Sequence, residues 1–289
     1  MSDTDLPPRS TPRRGPWDSR PEDAVAAQAA PVETARAQAD EPPLDKGQHP
    51  AWAIASTLLL GAFIWYLTGS LIMVVALLFG LFVHEYGHVL AMNRLGMGPA
   101  RIYIIPFLGG LAKSQRLPQS EWHGVLVSLA GPAFGLLAAI PFYGLYLATG
   151  QGAWLQGVFV VAFLNLINLA PAPPLDGSKA LGPVLARIHP MVEMGVMLAI
   201  GALVVFWGIS NGSWIFAAFL AIALIGHLRR GAWRPEGRQL TWKEAGQSVG
   251  LFILTAIACA AVGFSALVPG APNAAEAFAH GAGIFEFNR

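Results

Sequence analysis

Residues 70–92 of the chain read SLIMVVALLFGLFVHEYGHVLAM. The run is almost wholly apolar outside one cluster, His84-Glu85-Tyr86-Gly87-His88, and it exceeds the roughly 20 residues that a bilayer-spanning helix needs. A charged side chain near the middle of a bilayer costs roughly 2.5–3.5 kcal/mol even on the most lenient scale. The cluster is therefore the first candidate for a functional site.

The spacing of this cluster is that of a metal-binding helix. His84 and His88 stand four positions apart, and such positions share one face of a helix, so both imidazoles can reach one ion. Zinc accepts neutral imidazole nitrogens, and a catalytic zinc keeps one position for water. Glu85 is then the candidate base for that water. The alternatives are histidines that merely pack in a helix bundle and a Glu85 that pairs with a cation such as Arg94.

The composition indicates a polytopic membrane protein. Charged residues make up 12% of the 289 positions, and the mean hydropathy is +0.51, so we expect a lipid bilayer as the surroundings. The net charge of +1 gives no reason to expect a nucleic acid partner. The single cysteine, Cys259, excludes an internal disulfide and a multi-cysteine zinc site.

Apolar segments of helical length recur along the chain and predict an all-α membrane protein with six to seven transmembrane helices. The segments are 51–68, 70–92, 122–148, 153–170, 192–209, 213–228 and 247–268. We expect a transmembrane domain with the candidate zinc site over 49–268. Residues 1–48, rich in Pro, Ala and charge, predict a disordered cytosolic tail, and 269–289 an extracytoplasmic tail.

Basic residues predict the orientation. They lie in the connections 93–121, 171–191 and 229–246, whereas the turns 149–152 and 210–212 carry no charge. Basic connections stay in the cytosol. The N-terminus is therefore expected in the cytosol, the C-terminus outside, and Glu85 toward the cytosolic side of the membrane.

A hydrolytic zinc site takes a third protein ligand, and Asp176 is the best candidate for it. It stands near the end of NLAPAPPLDG, residues 168–177. Pro171 cannot continue the preceding helix, so the chain must extend there, on the same predicted side as His88. Pro-Leu-Asp-Gly is also a good turn sequence, which is the alternative interpretation of Asp176.

HEYGH in one helix, followed two apolar segments later by NLAPAPPLDG, resembles the site-2 protease family of intramembrane zinc metalloproteases. The resemblance implies a three-helix catalytic core with peripheral helices and one Zn²⁺ per chain. It implies zinc binding by His84, His88 and Asp176, with Glu85 as the catalytic acid and base. It further implies that Asn168, Pro171 and Pro173 hold the substrate backbone, although an intramembrane asparagine can also bridge helices.

The function implied by the resemblance is cleavage of single-pass membrane proteins within or near the bilayer. Such regulated intramembrane proteolysis releases a cytosolic regulator from its membrane anchor. A regulatory membrane protein is a further partner that this function allows. Two rival functions remain at this point. One is a polytopic zinc-binding transporter, and the other is an inactive protease relative that binds membrane proteins without cutting them.

Two smaller patterns complete the prediction. Residues 101–107, RIYIIPF, followed by Gly109-Gly110, are too short to span and favour a membrane-embedded strand or hairpin like that of the family. An exposed strand edge there, at Ile104, would pair with an unwound substrate. Gly131 and Gly135 form a GxxxG pattern that permits close helix packing.

Overall fold

The structure is a computed structural model that describes residues 45–106, 109–210, 212, 214–230, 237–270 and 276. The chain divides into two units, Met1–Asp45 and Lys46–Arg289, and the second contains everything described below. The predicted tails, 1–48 and 269–289, lie almost entirely outside the described residues.

The first two helices are adjacent in the chain, and the second contains the predicted zinc-binding pattern. Helix α1 covers Pro50–Thr68 and ends where Gly69 adopts a left-handed conformation with φ of 61°, which glycine tolerates without strain. Helix α2 covers Leu71–Arg94. The Ser70 side chain accepts a hydrogen bond from the backbone N–H of Met73, satisfying one of the free donors of the first turn of α2.

A β-hairpin follows α2. Strand β1, Arg101–Ile105, pairs antiparallel with β2, Gly109–Lys113, with Tyr103 opposite Leu111. The predicted hairpin is confirmed. The outward edge of β1 is occupied, because the amide of Gln48 donates to the carbonyl of Ile104 at 3.0 Å and accepts from its N–H at 2.9 Å. The expected free edge at Ile104 is therefore wrong.

The remaining elements are helical. Helix α3, Glu121–Gly135, continues through one 3₁₀ turn, Leu136–Ala138, into α4, Ala139–Thr149. The later helices, in chain order, are α5 Ala153–Asn168, α6 Asp176–Ile188, α7 Pro190–Ser210, α8 Trp214–Arg230 and α9 Trp242–Leu267, with a last 3₁₀ turn at Val268–Gly270.

Five helical segments of the described chain are long and apolar enough to cross a membrane. They are Pro50–Thr68, Leu71–Arg94, Glu121–Thr149, Pro190–Ser210 and Trp242–Leu267. Two of the seven predicted segments form shorter apolar helices, Ala153–Asn168 and Ala217–Leu228. The prediction of an all-α polytopic membrane protein is confirmed. Helix α6 was not predicted, because its sequence is amphipathic rather than apolar.

Helices α2, α3 and α5 pack against one another and form the centre of the domain. The buried side chains between α1, α2, α4 and α5 are mainly aliphatic and include Met73, Phe142, Val158 and Val161. A second cluster joins α3, α6 and α9 around Val125, Ala180 and Cys259. Helix α9 is thus part of the core.

The N-terminus of α9 is tied to the N-terminus of α3. The Glu121 N–H donates to the carbonyl of Arg238 at 3.0 Å, and the Leu240 N–H donates to the Glu121 carboxylate at 2.9 Å. Further along α9, the Ser248 hydroxyl donates to the carbonyl of Ala180 in α6 at 2.8 Å. We call the contacts between 119–121 and 237–241 the α3–α9 latch.

Candidate metal centre

Two imidazoles from α2 face the interior of the helix bundle. His84 and His88 are buried, with 2% and 6% of their surfaces exposed, and their Nε2 atoms lie 3.2 Å apart. The i, i+4 spacing in a regular helix brings the two rings together, and their centroids lie 4.8 Å apart in an edge-to-face arrangement. The sequence prediction that both rings share one face is correct.

Asp176 meets this pair from the other side of the bundle. Helix α5 ends at Asn168, the chain turns through the proline-rich stretch, and Asp176 begins α6. Its Oδ2 lies 3.1 Å from Nε2 of His84 and 3.1 Å from Nε2 of His88. The Asp176 carbonyl accepts a 2.7 Å hydrogen bond from the Ser128 hydroxyl, which fixes the start of α6 against α3.

The hydrogen bonds behind the rings decide their protonation. Nδ1 of His84 lies 2.9 Å from Oδ1 of Asn165, and Nδ1 of His88 lies 2.8 Å from the carbonyl of Val127. Asn165 donates its amide to the carbonyl of Val161, so its oxygen faces His84. Both partners are acceptors, so each Nδ1 carries a proton, and in a neutral ring Nε2 then presents its lone pair.

These atoms fit a zinc ion. Nε2 of His84, Nε2 of His88 and Oδ2 of Asp176 converge with mutual separations of 3.1–3.2 Å, and a cation between them would bind all three. Ligands about 2.0–2.2 Å from zinc in a tetrahedron are about 3.3–3.6 Å apart, close to the observed triangle. Hydrogen bonds from Nδ1 to an amide or a carbonyl also typify zinc-bound histidines. His84, His88 and Asp176 would therefore hold the metal.

Glu85 lies beside this triangle under the hairpin. It is buried, with 6% of its surface exposed, and the backbone N–H of Ala112 donates to its carboxylate. A Cβ atom at Gly110 would stand 2.6 Å from Cγ of Glu85 and 3.0 Å from its Oε1. Strand β2 therefore both holds the carboxylate and leaves room for it, since position 110 has no side chain.

The expected substrate-binding residues lie near the triangle but make other contacts. Asn168 is half-buried, and its amide donates to the carbonyl of Leu164 one turn earlier at 2.8 Å. Pro171 and Pro173 are half-buried in the turn between α5 and α6. Their role in holding a substrate stays a prediction.

Asn165, which the sequence suggests is a structural residue one turn before Asn168, belongs to the surroundings of the site. It has no exposed surface and orients the His84 ring, whereas Asn168 bonds only to its own helix among the hydrogen bonds described above. A buried amide in an apolar helix signals a required partner. Both asparagines carry that signal, however, and three residues of helix separate them by only about 60°.

Comparison with known proteins finds a peptidase family and one metalloprotease relative that are similar to part of this chain. Residues 72–157 match the model of Peptidase family M50. A protein of Synechocystis sp. (strain ATCC 27184 / PCC 6803 / Kazusa), named as a candidate zinc metalloprotease, is 31% identical over 124 residues. That alignment covers 40% of this chain and 32% of the Synechocystis protein. The resemblance to the site-2 protease family is confirmed.

The matched region includes some of the candidate site residues and excludes others. The M50 match contains α2, the hairpin, α3 and α4 but ends at residue 157, before Asn165 and Asp176. His84, Glu85 and His88 therefore lie inside the matched region, and Asp176 lies outside it. The chain spans about a third of the length of the curated relative it matches.

Proposed function

We propose that this protein is an intramembrane zinc metalloprotease that cleaves single-pass membrane proteins within or near the bilayer. The observation that carries the proposal is the triangle of His84, His88 and Asp176 with Glu85 beside it. The triangle lies inside a bundle whose helices are long and apolar enough to span a membrane. A transporter or an inactive relative has no use for a buried base next to three zinc ligands.

The orientation supports a cytosolic active site. Glu85 precedes the end of α2 at Arg94 by nine residues, about 14 Å of helix at 1.5 Å per residue. The connection from α2 to α3 contains Arg94, Arg101, Lys113 and Arg116, and basic connections are retained in the cytosol. The N-terminus is then cytosolic and the C-terminus extracytoplasmic, with the site beneath the cytosolic headgroups.

Glu85 provides the proton transfers of the reaction. A zinc ion bound here supplies Lewis acidity that polarises the scissile carbonyl and makes a water more acidic. Glu85 removes a proton from the attacking water as the new C–O bond forms. It then gives that proton to the departing nitrogen as the C–N bond breaks. Asn165 and the Val127 carbonyl keep the rings in one tautomer throughout.

The hairpin gives the substrate a place to extend. A transmembrane helix hides its carbonyls in internal hydrogen bonds, so a segment must unwind before it is cut. Gln48 occupies the outward edge of β1 at Ile104, whereas β2 lies against Glu85 at Gly110 and Ala112. An unwound substrate pairing along β2 would therefore lie beside the base.

The cellular role follows from the chemistry as a further part of the proposal. Cleavage near the cytosolic face frees the cytosolic part of a single-pass protein from its anchor. The product class is then a soluble regulator, as in regulated intramembrane proteolysis. A regulatory membrane protein partner would control access of the substrate to the site.

The test uses the purified chain in proteoliposomes with a panel of single-pass substrates. We expect cleavage that a chelator abolishes and Zn²⁺ restores, and a drop of about 10²–10⁴-fold in Glu85→Gln with zinc still bound. Zinc flux into the vesicles is measured in the same preparation. Unchanged cleavage in Glu85→Gln, or zinc flux without cleavage, contradicts the protease proposal.

A further inference from the structure

Two glycines of α3 lie directly against the side chains that form the metal centre. A Cβ atom built at Gly131 would overlap the tip of the His88 ring, at Nε2 and Cε1, and would stand 2.8 Å from Cδ2. Nε2 is the nitrogen that points to Asp176 and His84. A methyl group at position 131 would therefore occupy space next to the metal-facing atom.

Gly135 stands in the same relation to Asn165. A Cβ atom there would overlap Oδ1 of Asn165 and would stand 2.7 Å from its Cγ and 2.8 Å from its Nδ2. Oδ1 is the acceptor for Nδ1 of His84. The Asn165 amide is held at both ends, since its nitrogen donates to Val161. It cannot move away from a methyl group without losing one of these hydrogen bonds.

Other glycines make contacts of a different kind. Gly124, also inside α3, has nothing within 4 Å of a Cβ position. A Cβ atom at Gly87 in α2 would meet the backbone carbonyl of Ala130 at 2.5 Å, so Gly87 serves the approach of two helix backbones. Gly131 and Gly135 instead contact an imidazole and an amide of the site. A glycine inside a helix costs about 1 kcal/mol relative to alanine, so two of them call for a reason.

We propose that Gly131 and Gly135 are positioning residues of the metal centre, a proposal that rests on the proposed zinc site. Gly131 sets the place of the His88 ring directly. Gly135 sets the place of the Asn165 amide and, through it, the tautomer and the orientation of His84. The GxxxG pattern thus has a second role beyond helix packing, because Gly131 leaves space for the His88 ring and Gly135 leaves space for the Asn165 amide.

The first experiment measures metal binding without cleavage. Gly131→Ala, Gly135→Ala and the matched control Gly124→Ala are purified in detergent, and zinc per chain and the visible spectrum of bound Co²⁺ are recorded with the thermal unfolding of each. We expect Gly124→Ala to match the parent protein. We expect Gly131→Ala to lose stoichiometric zinc. We expect Gly135→Ala to bind Co²⁺ about 10–100-fold more weakly, which is the usual effect of removing the hydrogen-bond partner of a metal-binding histidine.

A double-mutant cycle tests whether Gly135 acts through Asn165. Asn165→Ala removes the amide that the methyl group would strike, so Gly135→Ala should weaken Co²⁺ binding in the parent and add nothing in the Asn165→Ala background. Folding restored by the second substitution supports the proposal equally. Independent losses that multiply in the double variant would overturn it, as would a parental Co²⁺ spectrum in Gly131→Ala. If the unmutated chain binds no zinc, the proposed function itself fails.

Discussion

Gly110→Ala is expected to displace the carboxylate of Glu85, the proposed base, while leaving the proposed metal site intact. The new methyl carbon would lie 2.6 Å from Cγ of Glu85, whereas carbon atoms in contact are about 3.5–4.0 Å apart. Relief therefore requires a displacement of about 1 Å. Because Cγ lies close to the helix backbone, the carboxylate must move with it. The alternative is a shift of β2, which breaks the hydrogen bond from Ala112.

A misplacement of about 1 Å at a reacting group can reduce the rate about a hundredfold, which equals about 2.7 kcal/mol in activation free energy. We therefore expect kcat to fall by that factor while zinc per chain stays unchanged, because the atoms nearest to the new methyl group all belong to Glu85 and none to the three proposed zinc ligands. The assay is the cleavage rate at saturating substrate together with zinc content. Gly144→Ala is the matched control, since nothing lies within 4 Å of its Cβ position.

Two outcomes would refute this reasoning. A parental kcat in Gly110→Ala would mean that the hairpin adjusts freely and does not fix the position of Glu85. Loss of zinc together with activity would mean that the hairpin supports the metal ligands rather than the base.

Three further predictions follow from the same contacts. Asp176→Ala should lose stoichiometric zinc and all chelator-sensitive cleavage, since it removes one of three ligands; retained zinc with cleavage would exclude Asp176 as a ligand. Gln48→Ala should destabilise the hairpin by about 1–3 kcal/mol, because it removes two hydrogen bonds to Ile104. The measurement is amide hydrogen exchange in 101–105, which should become faster. Unchanged exchange would show that Gln48 does not hold β1. Glu121→Ala leaves the buried Leu240 N–H without its acceptor. It should lower the free energy of unfolding, measured by denaturation in detergent, by about 1–3 kcal/mol. No change would mean that this contact of the α3–α9 latch does not contribute to stability.

The sequence predicts the centre of the site because its signals are local or strongly restricted. His84 and His88 share a face by helical periodicity alone. Asp176 could be paired with them because acidic residues are rare in the membrane region and the helix directions bring it to the same side. The hairpin was predictable from β-branched residues followed by two glycines.

What the sequence could not decide depends on the rotation and packing of whole helices. Asn165 and Asn168 lie on nearly the same face of α5, and only the packing of α5 against α2 selects Asn165 as the partner of His84. The same holds for α9. An apolar segment has the same composition whether it faces lipid or packs on other helices, so burial of Cys259 could not be foreseen.

The placement of α9 has a consequence for biosynthesis. A chain ending before Trp242 would already contain His84, Glu85, His88 and Asp176, but it would lack α9, whose Ser248 hydroxyl donates to the carbonyl of Ala180 in α6. The ribosome delivers this helix last among the described spans. We therefore expect a nascent chain to lack the proposed hydrolytic activity until α9 has entered the bilayer, so that synthesis itself delays the onset of cleavage.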